Sequence, residues 1–330
     1  MKDSNEPIHQ PHDKLFKEGF SNPVDAAAFL RWRLPSEIVS AIDWEQLRLE
    51  PGTFVDSQFR HFESDLLFSA PLAMTGPEEG RSCYFYFLLE HFSTRPPYAA
   101  LQILRYLVRI WDRWIVTEKD GAGSPGKLPP IVPLVVAQNA AGWDLSPQFS
   151  DLVHLPPDCE TALRPFIPEF SFSLLELGEM PYEAIAGTPA GILTLRVLKA
   201  ERLGELLGDA VWDESLLSQV ARGLFERVLR YLMGGGIDKD SFRRRLETVS
   251  EPRIRNAAMT LAEQFVKEGI EQGIESAKRA DILEVLEIRF GAIPAKVRER
   301  VEDSNGIGHL GHLHRMAVLA ASLDDFSREL

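Results

Sequence analysis

The sequence predicts an α/β protein with a helical second half, on three observations. Two apolar runs read as strands: Cys83–Glu90, whose aromatic and leucine content suits burial on both faces, and the β-branched Ile131–Ala137. Between them lies a helical pattern, with Leu101, Leu104, Val108, Trp111 and Ile115 recurring every three or four residues. From about residue 183 onward nearly every signal is helical.

Taken in order, residues 12–34 read as two short helices. Asn22 followed by Pro23 is a cap with proline at the first helical position, and Pro35 stops the second helix. Residues 44–70 read as a strand hairpin turning at Pro51-Gly52, and Glu63–Ser69 as a strand carrying Asp65 into an apolar run. A polar loop, Thr75–Arg81, leads to the strand ending at Glu90. Pro96-Pro97 precede the helix, a Gly/Pro-rich loop spans Lys119–Pro130, and Phe170–Leu177 adds a last strand. The order helix, strand, strand, strand, helix, strand is that of an α/β core.

Helices are then expected over Ala184–Leu207, Asp213–Met233, Lys239–Val249 and Glu251–Arg289. The last contains Glu268-Gly269-Ile270-Glu271-Gln272-Gly273-Ile274-Glu275, a period-four repeat whose polarity suits a solvated helical spacer or linker. Asp281–Gly291 and Ala317–Phe326 read as a small C-terminal helical unit. The organisation is thus an α/β domain over 10–180, a helical extension over 181–262, the spacer over 263–280 and the terminal unit over 281–330.

Composition bounds the function. The two cysteines, Cys83 and Cys159, cannot build a disulfide framework or a cysteine-rich zinc site, which fits a reducing compartment. The polar opening from Met1 to Asp13 has no apolar signal core, and no stretch approaches the roughly 20 apolar residues that span a bilayer. A soluble, cytoplasmic protein without membrane attachment is expected. The net charge of −13 disfavours a whole-surface grip on nucleic acid but leaves room for a local basic strip.

Asp65 and Glu90 each place a carboxylate in a run read as a buried strand. Such a group is costly there unless paired, protonated or bound to a metal. Carboxylates on neighbouring strands can converge on one hard cation, which polarises a phosphoryl oxygen and acidifies a bound water. Alternatively, Glu90 faces solvent at a strand end and Asp65 pairs with an arginine. On the helix, Arg105, Arg109 and Arg113 form a strip that could meet a phosphate backbone, or a solvated face paired with Asp112 and Glu118. His309, His312 and His314 lack the fuller ligand spacing of a zinc site, and Gly306-Ile307-Gly308 reads as loop. Arg243-Arg244-Arg245 reads as a solvated, ion-paired helix face.

Several motifs carry a family resemblance. His12-Asp13-Lys14-Leu15-Phe16-Lys17, Ser64-Asp65-Leu66-Leu67-Phe68, Leu88-Leu89-Glu90-His91 with Ser93, Leu104-Arg105-Tyr106 with Arg109-Ile110-Trp111, and Leu128-Pro129-Pro130-Ile131-Val132-Pro133 follow in order. Met259–Glu263, the Gly269/Gly273 spacer and Arg289-Phe290-Gly291 with Pro294 extend the likeness towards the C-terminus. The set resembles the Rpn family of recombination-promoting nucleases, also known as YhgA-like transposases. That resemblance implies a PD-(D/E)XK restriction-endonuclease-like core, a mixed sheet flanked by helices. It further implies Mg²⁺ held by Asp65 and Glu90, and DNA endonuclease activity linked to recombination.

The superfamily often adds an acid on the first helix, but Asp13 is explained as well by the helix N-terminus. Gln102 and Tyr106, four apart, resemble the Gln-x-x-x-Tyr motif of the RecB-like branch and are taken as catalytic candidates beside the two acids. One departure matters. Nuclease members carry Lys or Gln two residues after the glutamate, where this chain has Phe92. Losing one preorganised polar group can cost on the order of 10²–10³ in rate. The alternative is therefore a catalytically inactive scaffold that binds DNA or a protein partner. A mobile-element role rests on the family name alone. A homodimer would suit double-strand cutting.

Overall fold

The computed structural model describes residues 11–51, 66–73, 82–90, 97–119, 127–138, 143 and 145–330. The chain forms two compact units, residues 1–255 and 256–330. Among the described residues no helix is long and apolar enough to cross a membrane.

In the first unit, α1 (Pro11–Phe20) and α2 (Pro23–Arg33) open the chain, followed by a short α3 (Ser36–Ser40). Asn22 caps α2 through the Val24 N–H, as its sequence signal predicts. Phe16, Phe20 and Phe29 are buried in succession, with ring centroids 4.9 and 5.2 Å apart.

Five strands lie side by side in chain order: β1 (Arg48–Leu49), β2 (Leu66–Pro71), β3 (Ser82–Glu90), β4 (Ile131–Ala137) and β5 (Ser173–Glu176). β1, β2 and β3 form an antiparallel meander, whereas β4 is parallel to β3 and β5 to β4. The sheet is therefore mixed and the protein is α/β. β1 is only two residues long, and the expected turn at Gly52 and the residues up to Asp65 lie outside the described residues.

The parallel β3–β4 pair requires a crossover, supplied by α4 (Ala99–Lys119). α4 covers one sheet face, where Ala100, Ile103, Tyr106, Leu107 and Ile110 pack with Leu67, Tyr84 and Val135. The buried stripe is thus offset from the predicted one, and Val108 is exposed. Both stripes have helical spacing. The sheet takes the one that begins with Ala99 and Ala100, both buried. The opposite sheet face buries Phe68, Phe85, Leu134 and Val136, with Trp44 5.5 Å from Phe85 between ring centroids.

After the four-residue α5 (Glu160–Leu163) and β5, the first unit is completed by α6 (Pro189–Leu203), α7 (Glu214–Gln219), α8 (Arg222–Gly234) and α9 (Lys239–Thr248). α6 begins later than expected because Thr188 caps it ahead of Pro189, and it ends at the left-handed Gly204. The single helix expected over Asp213–Met233 is two. The chain turns extended at Val220 and Ala221, burying Val220, although neither glycine nor proline marks the break. α1 packs on α6 at Gly19, where a Cβ would collide with the Thr194 side chain.

One charged side chain fixes the join between β5 and α6. Lys199 is buried, and its Nζ donates to the carbonyls of Leu177 and Gly178 at 2.9 Å and Met180 at 2.5 Å, with the Tyr182 ring 4.9 Å away. Burial lowers the Lys199 pKa, opposed by Glu205 and Glu183. The carbonyls are what make an ammonium tolerable there.

The 39-residue α10 (Pro252–Phe290) runs into the second unit, so the Glu/Gly repeat is continuous helix. A Cβ at Gly269 or Gly273 would meet nothing, so neither glycine serves a close contact among the described residues. Residues 281–290 end α10, as the helix expected over Glu251–Arg289 has it, and supply Ile282 and Leu286 to the core of the second unit. α11 (Ala295–Glu302), α12 (Ile307–Leu319) and α13 (Leu323–Ser327) bury Val297, Val301, Leu310, Leu313, Ala317 and Phe326 with Ile282 and Leu286 of α10. Gly306, at φ 89°, turns the chain into α12, so residues 307–308 are helical where a loop was expected.

Replacing Lys199 with methionine keeps the apolar stem but leaves three carbonyls without their donor. Urea unfolding should show a loss of about 2–4 kcal/mol. An unchanged midpoint and slope would contradict the account of the β5–α6 join.

Candidate functional site

Of the site candidates, Glu90 and Gln102 lie towards the carboxyl end of the parallel strands, whereas Arg109 and Arg113 flank Trp111 beside the start of β4. Glu90 closes β3, and its register partner on β4 is Ala137, whose partner on β5 is Glu176. These three positions form one row. Within β4 and β5, Ala137 and Glu176 alternate onto the face of Val135 and Leu174, which pack with α4. Sequence reasoning missed Glu176, yet a signal was present: Leu88-Leu89-Glu90 and Leu174-Leu175-Glu176 end the two strands flanking β4.

Glu176 has a definite structural task. Its Oε2 accepts the Trp143 backbone N–H at 2.7 Å, and the Trp143 ring meets Phe172 edge-on, with centroids 6.1 Å apart. The Leu177 N–H donates to the Ala137 carbonyl at 2.9 Å, which extends the ladder one bond beyond the row. The end of β5 is therefore held by β4, by Trp143 and by Lys199.

α4 brings Gln102 and Tyr106 to the same end. Trp111 Nε1 donates to the Pro129 carbonyl at 2.9 Å, pinning the middle of α4 beside the start of β4. At 1.5 Å per residue Gln102 stands about 13 Å back along the helix, towards the end of the sheet that carries Glu90. Tyr106 is buried against the sheet, and Gln102 Oε1 is buried with no hydrogen-bond donor among the described residues. Of the arginine strip, Arg105 faces solvent, while Arg109 and Arg113 are half-buried at the rim of the packed stripe.

Asp65, His91 and Phe92 lie outside the described residues, as does the side chain of Glu90. Asp65 is bonded to Leu66, the first described residue of β2, which is the register partner of Phe87. Among the described residues no three histidine, cysteine or carboxylate side chains stand together to hold a metal. His309, His312 and His314 ride on α12, where His312 Nε2 is 3.2 Å from Glu329. The observation that bears on a hard cation is Gln102 Oε1, a buried amide oxygen that a cation or its bound water could satisfy.

The fold and this site define an α/β protein with a mixed five-stranded sheet and a carboxylate at the end of its third strand. Residues 10–219 match the family described as "Putative transposase, YhgA-like", and the chain belongs to that family. Among its curated relatives, recombination-promoting nuclease RpnA of Escherichia coli (strain K12) is 28% identical over 267 residues, 78% of this chain and 84% of the relative. Recombination-promoting nuclease RpnD of Escherichia coli O157:H7 is 25% identical over 261 residues, 77% and 94% of the two chains. An inactive recombination-promoting nuclease-like protein, RpnE of Escherichia coli (strain K12), is 25% identical over 282 residues, 83% and 88%. No solved structure matches the chain.

The Glu176 contact is directly testable. Replacing Glu176 with alanine should raise hydrogen exchange at the Trp143 amide by about tenfold, the loss of about 1.4 kcal/mol, and replacing it with glutamine should restore most of the protection. Equal exchange in all three proteins would show that the carboxylate does not hold this amide.

Proposed function

We propose that the protein is a metal-dependent DNA endonuclease acting in recombination, built on the PD-(D/E)XK scaffold, with Mg²⁺ held by Asp65 and Glu90. The observation that carries this reading is the position of Glu90 at the carboxyl end of β3, in register with Ala137 of β4 and so in one row with Glu176 of β5. The strand order β1-β2-β3-β4, with α4 between β3 and β4, fits that scaffold. The names of the relatives support the nuclease class.

When bound, the cation supplies Lewis acidity to the phosphoryl oxygen and lowers the pKa of a bound water. The chain's own residues do the rest. Asp65 and Glu90 provide the hard oxygen donors. Gln102 offers its amide to orient the attacking water, and Tyr106 follows one helical turn along α4. Arg105, Arg109 and Arg113 position the DNA backbone, a local attraction that the net charge of −13 does not forbid. A homodimer would let two such sites cut both strands of a duplex.

A second reading has its own support. Phe92 stands where nuclease members carry Lys or Gln, and one relative is named as inactive. On that reading the protein keeps the scaffold and binds DNA or a protein partner without cutting.

Supercoiled plasmid separates the two. The nuclease reading expects nicking that needs Mg²⁺, stops with EDTA and falls by on the order of 10²-fold or more in Asp65→Ala and Glu90→Ala. Absence of cleavage by folded protein would favour the inactive scaffold. Phe92→Gln should then gain metal-dependent nicking if that one side chain accounts for the loss.

A further inference from the structure

His12 opens the resemblance motif, and the structure gives it a place away from the carboxyl end of the sheet. It sits in the first turn of α1 with 14% of its side chain exposed, in contact with α6 and α8. Its Nδ1 shares a hydrogen bond with the Tyr231 hydroxyl of α8, and the two rings meet edge-on with centroids 5.4 Å apart. Glu201 of α6 places Oε2 3.9 Å from the same nitrogen. That carboxylate oxygen is buried and accepts no hydrogen bond among the described residues.

Burial, and after it the charge of Glu201, pushes the Tyr231 hydroxyl far above its ordinary range, so it stays neutral. Within the cluster, His12 is the group whose type changes charge near neutral pH. The other charged residues along these helix segments are Asp13, Lys14, Lys17 and Glu18 on α1, Arg202 on α6, and Arg227 and Arg230 on α8. Arg227 is paired with Glu18, a second bond between α1 and α8.

We propose that His12, Glu201 and Tyr231 form a proton-sensitive clip that fastens α1 to α6 and α8. With His12 as imidazolium, its Nδ1–H donates to the Tyr231 oxygen, and the ring sets a positive charge 3.9 Å from the buried Glu201 Oε2. With His12 neutral, the Tyr231 hydroxyl donates to Nδ1 instead. The hydrogen bond survives but the charge pair is gone. The sign follows: the folded state favours protonated His12. The added stability is full below the ordinary histidine value of about 6.5 and is lost as pH rises beyond it. The clip adds to the apolar contact of α1, where Gly19 meets Thr194, so raising the pH loosens the start of α1 without detaching the helix.

The test uses the full chain. Imidazole ¹H–¹⁵N spectra follow all eight histidines through pH 5–9, in wild type and in Glu201→Gln. One titration, that of His12, should fall by about one pH unit from wild type to the variant while the others stay in place. Thermal unfolding is measured alongside. His12→Gln should lower the midpoint by about 3 °C at pH 5.5 and by much less at pH 8.5. Histidine titrations that do not respond to Glu201→Gln would overturn the proposal, as would a His12→Gln penalty equal at both pH values. Should His12→Gln not fold, Glu201→Gln carries the midpoint comparison with the same expected pH pattern.

Discussion

The parallel ladder between Ser82–Glu90 and Ile131–Ala137 is the constraint on which the rest of the first unit depends. Its seven paired positions fix the face to which every β3 and β4 residue belongs, since a slip of one residue would exchange the two faces. Because the strands are parallel, the chain must return along the sheet, and that return is α4. From this follow the covering of one face by α4, the position of Gln102 towards the carboxyl end, and the row Glu90, Ala137, Glu176. Ala137 matters for its smallness, since it separates two glutamate positions in the row without a bulky side chain between them.

The helices after β5 serve that end of the sheet from behind. Lys199 reaches back from α6 to gather three carbonyls immediately after Glu176, and Glu176 in turn holds the Trp143 amide. A buried ammonium and a half-buried carboxylate are thereby each satisfied by backbone groups, the arrangement that makes such groups affordable in a protein interior. The second unit has its own apolar core and its own polar lock, in which Arg279 binds Glu275, Asn305 and the Ser304 carbonyl.

Much of this was legible because some constraints are local. Strands buried on both faces must be apolar throughout, so β3 and β4 stand out as continuous runs. Asn22 before Pro23 announces α2 through backbone groups only two residues away. Other features answer to partners distant in sequence. α4 has two apolar stripes of helical spacing, and only the sheet decides that Ile103 and Leu107 are covered while Val108 is not. The break at Val220 has no glycine or proline because burial of Val220, not backbone preference, enforces it. Glu176 was overlooked because one acid ending a short strand means little until register sets it in line with Glu90, although the repeated Leu-Leu-Glu was there to be read. The family was legible from ordered motifs spread along the chain. The roles of Asp65 and Phe92 depend on residues beyond those the structure describes.

The central claim is that a divalent cation binds where β2 begins and β3 ends. Iron-directed backbone cleavage tests it most directly: Fe²⁺ replaces Mg²⁺, ascorbate and peroxide generate radicals at the bound ion, and the protein fragments are mapped. The account predicts cuts clustered around residues 65 and 90, suppressed by excess Mg²⁺ and absent in Glu90→Ala. Cuts confined to the histidines of α12, or a pattern indifferent to Glu90, would contradict it.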